Sequence, residues 1–257
     1  MANELFSLAG RVALVTGGNG GLGRAIALGF QAAGARVAVT GRNPDKNAAV
    51  QAELGGAGAV YPLDVRDEPA VAATVAAVVE RFGRLDILVN NAGLYQGGSV
   101  LALTREAWDA VIGTHLTGAF LCAKHAAQAM VAAGRGGKII NNGSMFSLFG
   151  GPDFVDYTSA KAGLLGLTRA LAVELGQHNI QVNAILPGWF PTELTQGLPE
   201  SPRGDHIRRK TPAGRWGKPE DLVGAAVFLA SAASDFVTGT GLPVDGGYSV
   251  AERFLWD

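Results

Sequence analysis

The sequence predicts an α/β protein in which one parallel sheet is covered by helices on both faces. Short runs of β-branched and other apolar residues alternate along the whole chain with longer stretches of helical periodicity. The 257 residues are 48% hydrophobic, which is enough for one sizeable core, and no low-complexity linker divides them. Parallel strands need crossover helices on the faces of their sheet, so this alternation predicts a single doubly wound domain over residues 1–257.

Each predicted element follows from a local pattern. Seven short apolar runs are predicted as strands, at 11–16, 36–40, 58–61, 86–89, 137–142, 180–186 and 242–244. Six stretches with helical spacing are predicted as helices, at 22–33, 44–54, 67–82, 104–133, 155–178 and 219–231. The remaining long stretch, 188–215, is rich in Pro, Gly and charge and follows the sixth strand. Because ligands bind outside the carboxyl ends of parallel strands, we interpret 188–215 as a mobile substrate lid, and an ordinary surface loop is the alternative.

A glycine-rich turn joins the first strand to the first helix. The strand Arg11-Val-Ala-Leu-Val-Thr16 is followed by Thr16-Gly-Gly-Asn-Gly-Gly-Leu-Gly23. Glycines permit a tight turn and close approach of the backbone to a phosphate, and the helix amino terminus presents free N–H groups. The loop lacks the Gly-Lys-Ser/Thr of a P-loop, which argues against nucleoside triphosphate hydrolysis.

Tyr157 and Lys161 lie four residues apart in the predicted helix 155–178 and therefore share one helix face. A free phenol titrates near ~10, so lowering its pKa to neutrality takes roughly 4 kcal/mol at about 1.36 kcal/mol per unit. A neighbouring cation stabilises the phenolate. The pair is a candidate proton donor, although the same spacing is common on exposed helix faces.

Three further segments follow in a recognisable order. They are Leu85-Asp-Ile-Leu-Val-Asn-Asn-Ala-Gly93, Ser144 after Lys138-Ile-Ile-Asn-Asn142, and Pro187-Gly188 with Thr192. Together with the glycine loop and the Tyr157 pair, they make the chain resemble the short-chain dehydrogenase/reductase family over essentially its whole length. The resemblance implies a Rossmann-like fold and a nicotinamide-dependent enzyme that interconverts a secondary alcohol and a ketone.

The resemblance also implies catalytic roles. Ser144 would orient the substrate oxygen, Tyr157 would exchange a proton with it, and Lys161 would bind the nicotinamide ribose and lower the pKa of Tyr157. The family usually has Asn in the central helix where this chain reads Thr114-His115-Leu116-Thr117-Gly118. His115 is expected to replace that Asn as a polar anchor or to weaken the proton relay. One hypothesis is that His115 makes turnover more sensitive to pH below its own titration.

The end of the second strand, Val39-Thr40-Gly41-Arg42, predicts cofactor choice. An acid there would bind the ribose 2′-hydroxyl of NAD, and an Arg would accommodate the 2′-phosphate of NADP. Gly41 takes the place of the acid and Arg42 follows it, which favours NADP(H), whereas Gly20 in place of a second basic residue keeps NAD(H) possible. The cofactor contacts implied by the resemblance are Gly17, Asn19, Gly21, Leu22, Gly23, Arg42, Asp64, Val65, Asn91, Ala92, Gly93, Tyr157, Lys161, Pro187, Gly188, Phe190 and Thr192.

The substrate class follows from two further segments. Gly136-Gly-Lys-Ile-Ile-Asn-Asn-Gly-Ser-Met145 and Pro212-Ala-Gly-Arg-Trp-Gly217 are similar to the gluconate 5-dehydrogenase and ketodeoxygluconate or ketodeoxyuronate dehydrogenase group. This implies a sugar acid, a keto-uronate or a polyol. Besides Ser144 and Tyr157, the candidate substrate contacts are the aromatic residues Tyr95, Phe146, Phe149, Trp189 and Phe190. Aromatic walls suit a sugar face, a terpenoid ring or a cyclic ketone equally well. The lid charges Arg203, Arg208, Arg209 and Lys210 are either carboxylate partners or solvated charges.

Two readings from other classes stay open. A 3-oxoacyl-carrier-protein reductase would share the catalytic residues and would need a basic patch, for which Arg208-Arg-Lys210 is the candidate. A non-enzymatic cofactor-binding protein is suggested by His115, but such a protein has no need of Ser144, Tyr157 and Lys161 together. The order of preference is therefore sugar-acid or polyol oxidoreductase, then carrier-protein reductase, then non-enzyme, with cyclic ketones as a variant of the first.

Composition narrows the partners to small molecules. The net charge of -1 argues against nucleic acid, and the amino terminus and apolar runs predict neither a signal peptide nor a membrane span. The single cysteine, Cys122, lies in an apolar run and is expected to be a packed thiol in a reducing compartment. His125, His178 and His206 lack metal-ligand spacing, so no metal is expected. The sequence thus predicts a cytoplasmic enzyme.

Assembly is inferred from the resemblance. Members of this group are usually homotetramers that pair long helices, here 104–133 and 155–178. The terminal Arg253-Phe-Leu-Trp-Asp257 carries two aromatic residues that would be costly to leave solvated. We expect this tail to pack on a neighbouring subunit, near its substrate pocket.

Overall fold

A computed structural model describes residues 2–252 and contains one seven-stranded parallel sheet. Its strands are β1 (Val12–Val15), β2 (Arg36–Gly41), β3 (Ala59–Pro62), β4 (Ile87–Asn90), β5 (Gly137–Asn142), β6 (Ile180–Pro187) and β7 (Gly241–Val244). The strand order is β3-β2-β1-β4-β5-β6-β7. The chain runs outward from β1 to β3 and then starts again beside β1 with β4. The sheet therefore has its topological switch point between β1 and β4, where ligands bind in such folds.

Helices connect the strands. They are α1 (Ala2–Leu5), α2 (Gly21–Ala32), α3 (Pro44–Leu54), α4 (Glu68–Phe82), α5 (Arg105–Ile112), α6 (Gly118–Ala133), α7 (Val155–Leu175), α8 (Pro202–Lys210) and α9 (Val223–Ala230). Local chemistry sets several boundaries. The side chains of Asn43, Asp67 and Ser201 accept hydrogen bonds from free N–H groups at the starts of α3, α4 and α8, and each of these helices has a proline in its first turn.

Two apolar cores lie on opposite faces of the sheet. In β1, Val12 and Leu14 contribute to one core, and Ala13 and Val15 contribute to the other, as the two-residue period of a strand requires. Side chains of α4, α6 and α7 complete the first core, and side chains of α2, α3 and α9 complete the second. Both faces of the sheet are thus buried, which confirms the predicted doubly wound α/β fold.

The predicted helices differ from the observed ones in four of the stretches predicted from the sequence. The stretch 104–133 is interrupted by a π-helical turn, Gly113–Thr117, between α5 and α6. The stretches 155–178 and 219–231 each include a 3₁₀ turn, Gly176–His178 and Pro219–Leu222. The segment 188–215, predicted as a lid without helix, contains α8, which was missed because its nine residues include only one large apolar side chain, Ile207.

Other expectations can be compared with residues 2–252 alone. No helix within this range is long and apolar enough to cross a membrane, and no group of three or more His, Cys, Asp or Glu side chains in it is placed to hold a metal ion. Cys122 is buried, and this burial raises the pKa of its thiol to about 12, as expected of a packed thiol. The predicted tail contact of residues 253–257 lies outside the described residues.

Candidate active site

A cavity of about 470 Å³ opens at the carboxyl edge of the sheet. It brings together nearly all of the residues that the sequence singled out: Gly17, Asn19, Gly21, Leu22, Arg42, Asp64, Val65, Asn91, Ala92, Gly93, Tyr95, His115, Ser144, Phe146, Tyr157, Lys161, Pro187, Gly188, Trp189, Phe190 and Thr192. Two predicted contacts, Gly23 and Phe149, are not part of its lining. Gly23 instead lies behind the glycine loop, and Phe149 packs 5.5 Å from the ring of Phe146.

The glycine loop has the geometry of a phosphate cradle. Gly17 has φ +59°, and a Cβ there would lie 2.8 Å from the Cα of Ala92. A Cβ on Gly23 would lie 2.6 Å from the Gly17 carbonyl oxygen, so only glycine allows the loop to fold this closely. Gly20, which precedes α2, provides no side-chain cap. The first N–H groups of α2 are therefore left for an anion in the cavity, and this loop fits the pyrophosphate of a dinucleotide.

The end of β2 lines the cavity with Gly41, Arg42 and Asn43 and presents no carboxylate there. A Cβ on Gly41 would collide with the side-chain amide of Asn19, which is held in place by a 2.7 Å hydrogen bond to Asn47 Oδ1. A side chain at position 41 would therefore require Asn19 to move, and this chain has none there to bind the 2′-hydroxyl of NAD. Arg42 is exposed and lines the cavity beside this position.

Lys46 provides a second cation at the same wall, and the sequence did not single it out. Its Nζ lies 2.5 Å from both carboxylate oxygens of Glu193, which also lines the cavity. The two residues are 147 positions apart, so no local pattern could reveal the contact. The pair joins α3 to the lid across the mouth of the cavity.

Asp64 and Val65 follow β3 and line the cavity where the resemblance places adenine. The guanidinium of Arg66 lies 2.5 Å from Asp64 Oδ2. Hydrogen bonds from Arg66 lower the pKa of Asp64 to about 2. Asp64 is therefore a permanent carboxylate whose charge is already paired.

Ser144, Tyr157 and Lys161 converge in the cavity from two elements. Ser144 follows β5 and begins a 3₁₀ turn, Met145–Ser147, in which its Oγ accepts a hydrogen bond from Phe146 N–H at 3.1 Å. Tyr157 and Lys161 lie one turn apart on α7, and the Tyr157 side chain hydrogen-bonds to that of Ser144. The hydroxyl groups of Ser144 and Tyr157 can thus reach one substrate oxygen.

The pKa values of Tyr157 and Lys161 differ from those expected from the sequence. Burial among aromatic rings raises the pKa of Tyr157 to about 12, against a smaller lowering by the Ser144 hydrogen bond. Burial also lowers the pKa of Lys161 to about 7, because desolvation disfavours the ammonium. Lys161 Nζ donates to the Asn142 carbonyl oxygen at 2.5 Å and lies 5.5 Å from the Tyr157 ring centroid. The expected lowering of the Tyr157 pKa by Lys161 is therefore wrong for this arrangement, in which the ammonium is directed to a backbone carbonyl.

His115 is buried inside the π-helical turn, with 4% of its surface exposed. Its Nε2 lies 2.7 Å from the carbonyl oxygen of Leu94, and its ring packs edge-on at 5.2 Å from that of Tyr157. Burial and the charge of Lys161 lower the pKa of His115 to about 3. The imidazole is thus neutral at physiological pH, and the hypothesis that its titration controls turnover is not supported.

A second, much smaller cavity of about 10 Å³ lies behind Lys161 and is lined by polar residues, among them His115, Asn90 and Asn142. Each of these three residues has a buried polar atom without a hydrogen-bond partner among residues 2–252: His115 Nδ1, Asn90 Oδ1 and Asn142 Oδ1. A cavity of this size holds about one water molecule, which needs two to four polar partners. The space therefore has the size and polarity that one buried water requires.

Aromatic rings form the other wall of the main cavity. Phe154 stacks on Tyr95 at 4.9 Å and on Phe146 at 4.6 Å, and its ring centroid lies 6.2 Å from that of Tyr157. Trp189 packs edge-on against Phe146 at 5.9 Å. Phe154 was not predicted as a site residue, although its place directly before α7 and three residues before Tyr157 was a signal in the sequence.

Comparisons with known proteins agree with this site. Residues 17–249 match the family model described as Enoyl-(Acyl carrier protein) reductase. The chain is 42% identical over 250 residues to 2-dehydro-3-deoxy-D-gluconate 5-dehydrogenase of Escherichia coli (strain K12), covering 96% of this chain and 99% of that protein. It is 40% identical over 252 residues to gluconate 5-dehydrogenase of Gluconobacter oxydans (strain 621H), covering 96% and 98%.

A solved structure gives the same result in three dimensions. The crystal structure of a gluconate 5-dehydrogenase from Burkholderia cenocepacia J2315 in complex with NADP and tartrate matches with a TM-score of 0.94 and 38% identity, covering 98% of this chain and 100% of that one. The matches span almost the entire chain, including the glycine loop, Ser144, Tyr157 and Lys161. The chain therefore belongs to the short-chain dehydrogenase/reductase family, and it is a nicotinamide-dependent oxidoreductase that acts on CH–OH groups.

Proposed function

We propose that the protein interconverts a secondary alcohol and a ketone on a sugar acid, a keto-uronate or a polyol, with NADP(H) as its cofactor. The observation that carries this proposal is the convergence of Ser144, Tyr157 and Lys161 with the glycine cradle in one cavity that has an aromatic wall. The names of the relatives, a 2-dehydro-3-deoxy-D-gluconate 5-dehydrogenase and a gluconate 5-dehydrogenase, support the substrate class. Aromatic rings pack well against the apolar face of a sugar chain.

The chemistry assigned to this site is proton exchange coupled to hydride transfer. When bound, the nicotinamide supplies or accepts the hydride. In the direction of reduction, Tyr157 donates its phenolic proton to the carbonyl oxygen, so that the product is a neutral alcohol. In the direction of oxidation, the phenolate of Tyr157 accepts the hydroxyl proton. Ser144 donates a hydrogen bond to the same oxygen and orients it, and Lys161 would donate a hydrogen bond to the nicotinamide ribose.

The proposed cofactor contacts follow the lining of the cavity. The N–H groups of the Gly17 loop and of the start of α2 would hold the pyrophosphate, and Arg42 would bind the 2′-phosphate. NADP in the Burkholderia cenocepacia structure supports this preference. Gly41 supports it as well, because it places no acidic side chain beside that phosphate.

Three further proposals concern the lid, the cellular location and the assembly of the protein. The segment 188–215 would act as the lid of the cavity, because Trp189, Leu198 and Arg203 of this segment line it. The protein would act in the cytoplasm on a small-molecule substrate. It would form a homotetramer in which the helices of 104–133 and 155–178 pair, which the exposed apolar side chains of Phe120, Val131 and Val173 support.

The 3-oxoacyl-carrier-protein reductase remains the second candidate because the chain is also 38% identical over 243 residues to a protein of that name from Thermotoga maritima. The basic patch that it would need is Arg208-Arg-Lys210. Arg208 pairs with Asp205 at 3.1 Å, and Lys210 Nζ lies 4.0 Å from the ring centroid of Tyr248. Two of the three cations are therefore already engaged within the chain, and this supports the sugar-acid proposal.

The proposal is tested by following the absorbance of reduced nicotinamide while the purified protein is given candidate substrates. The panel holds sugar acids, keto-uronates, polyols, cyclic ketones and acetoacetyl thioesters, each with NADP(H) and NAD(H) separately. The expected result is the highest kcat/KM for a sugar acid, a keto-uronate or a polyol with NADP(H). Preferred turnover of the thioester would overturn the substrate class in favour of the carrier-protein reductase.

A further inference from the structure

Helix α8 of the lid segment carries four Lys and Arg side chains, and the structure separates one of them from the others. Arg203, in the first turn of α8, lines the main cavity together with Tyr157 and Trp189. Arg208, Arg209 and Lys210, in the last turn of the same helix, are not part of its lining. Position on the helix therefore selects Arg203 as the lid cation that a substrate can reach.

The charge of Arg203 is uncompensated. Within residues 2–252 its guanidinium forms no salt bridge, whereas Arg208 on the same helix pairs with Asp205 at 3.1 Å. The two carboxylates that line the cavity are engaged elsewhere, since Asp64 pairs with Arg66 and Glu193 pairs with Lys46. The substrate side of the cavity therefore offers a cation without an internal counter-ion.

Aromatic packing fixes the position of Arg203 relative to the reacting groups. Its guanidinium carbon lies 5.9 Å from the ring centroid of Phe154. The same Phe154 ring lies 6.2 Å from the Tyr157 ring and is stacked on Phe146 at 4.6 Å. Trp216 Nε1 donates to the Gly204 carbonyl oxygen at 3.2 Å, which ties the first turn of α8 to the chain beyond the helix. Arg203 and Tyr157 thus both lie next to the Phe154 ring.

The chemistry of this arrangement matches an anionic group a few carbons from the reacting carbon. A guanidinium presents a planar fork of N–H donors that pairs with both oxygens of a carboxylate. Arg203 is exposed, and its guanidinium donates no hydrogen bond among residues 2–252, so these donors are free for a ligand. A neutral hydroxyl group would gain much less from this charge.

We propose that Arg203 binds the carboxylate of the substrate and thereby makes the enzyme prefer sugar acids over polyols. This inference rests on the proposed function, because it assigns the residue that recognises the acid group of that substrate class. Tyr157 and Ser144 act at one end of the substrate, and Arg203 holds the other end. Arg203 is accordingly a specificity-determining residue that takes no part in proton transfer.

The test compares Arg203→Met with the matched control Arg209→Met, which removes the same charge from the same helix but outside the cavity. Steady-state kinetics are measured with D-gluconate and with D-glucitol, a polyol with the same number of carbons and no carboxylate. Charge-assisted hydrogen bonds predict that Arg203→Met raises KM for D-gluconate roughly tenfold to a hundredfold and leaves kcat/KM for D-glucitol within about twofold. Arg209→Met should change neither. An equal loss on both substrates in Arg203→Met, or no loss on either, would overturn the assignment while leaving the proposed function intact.

A binding measurement separates this inference from the proposed function. Titration with D-gluconate is followed by the fluorescence of the tryptophans, of which Trp189 lines the cavity. The assignment is supported if the wild-type protein binds D-gluconate saturably and Arg203→Met binds it at least tenfold more weakly. This holds even if D-gluconate is not turned over, in which case only the proposed substrate class fails. Equal affinity in both proteins would overturn the role of Arg203. A larger loss for acetoacetyl thioesters than for D-gluconate would overturn it in favour of a carrier-protein contact.

Discussion

The variant His115→Asn tests whether the folded protein keeps the imidazole of His115 neutral. His115 is 4% exposed, and burial together with the charge of Lys161 lowers its pKa from 6.5 to about 3. Between these two values the unfolded chain binds a proton that the folded protein does not bind. The free energy of unfolding must therefore fall as the pH falls from 6.5 towards 3.

The size of this loss of stability follows from the shift in the pKa of His115. At a pH of about 5, one and a half units below the ordinary value, His115 alone removes about 2 kcal/mol of stability, at about 1.36 kcal/mol per unit. The variant His115→Asn carries no titrating group at this position and does not lose this amount. Its absolute stability also changes through packing, so the quantity to compare is the difference between two pH values within each protein.

The assay is urea denaturation followed by circular dichroism at pH values of about 7.5 and 5, for wild type, His115→Asn and the control His178→Asn. His178 is exposed, so its replacement should leave the pH dependence of the wild type unchanged. We expect the loss of stability between the two pH values to be about 2 kcal/mol smaller in His115→Asn than in the wild type. An equal loss of stability in the wild type and in His115→Asn would show that the folded protein does not keep the His115 imidazole neutral.

Two further predictions concern the pH profile and the cofactor. Burial raises the pKa of Tyr157 to about 12, so the phenol is neutral at working pH. The rate of alcohol oxidation should therefore increase by up to about tenfold for each unit by which the pH rises, because oxidation needs the phenolate. The rate of ketone reduction should not depend on pH in this range, because the phenol keeps its proton. Initial rates in both directions check this, and an oxidation rate that does not change with pH would contradict it. Arg42→Ala should weaken NADP⁺ binding roughly tenfold to a hundredfold and leave NAD⁺ binding within about twofold, because only NADP⁺ carries the 2′-phosphate. Calorimetric titration of both cofactors measures this, and an equal loss for both would argue against a phosphate contact.

Most of the fold was predictable because it depends on local patterns. The strands β1 and β4 are buried on both faces, so Val12-Ala-Leu-Val15 and Ile87-Leu-Val89 are continuous apolar runs bounded by polar or turn residues. Helix α8 was missed for the opposite reason, since the sequence Pro202–Lys210 is almost entirely polar and its helix depends on the Ser201 cap and on burial of Ile207. The π-helical turn was also missed, because the sequence 104–133 keeps helical periodicity through it.

The candidate site was predictable where residues follow strand ends and not where distant side chains meet. Asn91 and Ser144 come directly after buried strands, and motif spacing placed both in the cavity. The ion pair of Lys46 with Glu193 depends on two segments that only the folded chain brings together. The pKa of Tyr157 likewise depends on how completely its neighbours enclose it, which no spacing reveals.

A comparison of the variants Tyr157→Phe and Tyr95→Phe tests whether Tyr157 is the acid and base of the alcohol–ketone interconversion. Both tyrosines line the same cavity, but only Tyr157 hydrogen-bonds to Ser144. With NADP⁺ and the best substrate of the panel, the account predicts that Tyr157→Phe lowers kcat by about 10²- to 10⁴-fold and that Tyr95→Phe lowers it by less than about tenfold. Cofactor affinity should persist in both variants. A Tyr157→Phe protein that keeps wild-type kcat would contradict the account.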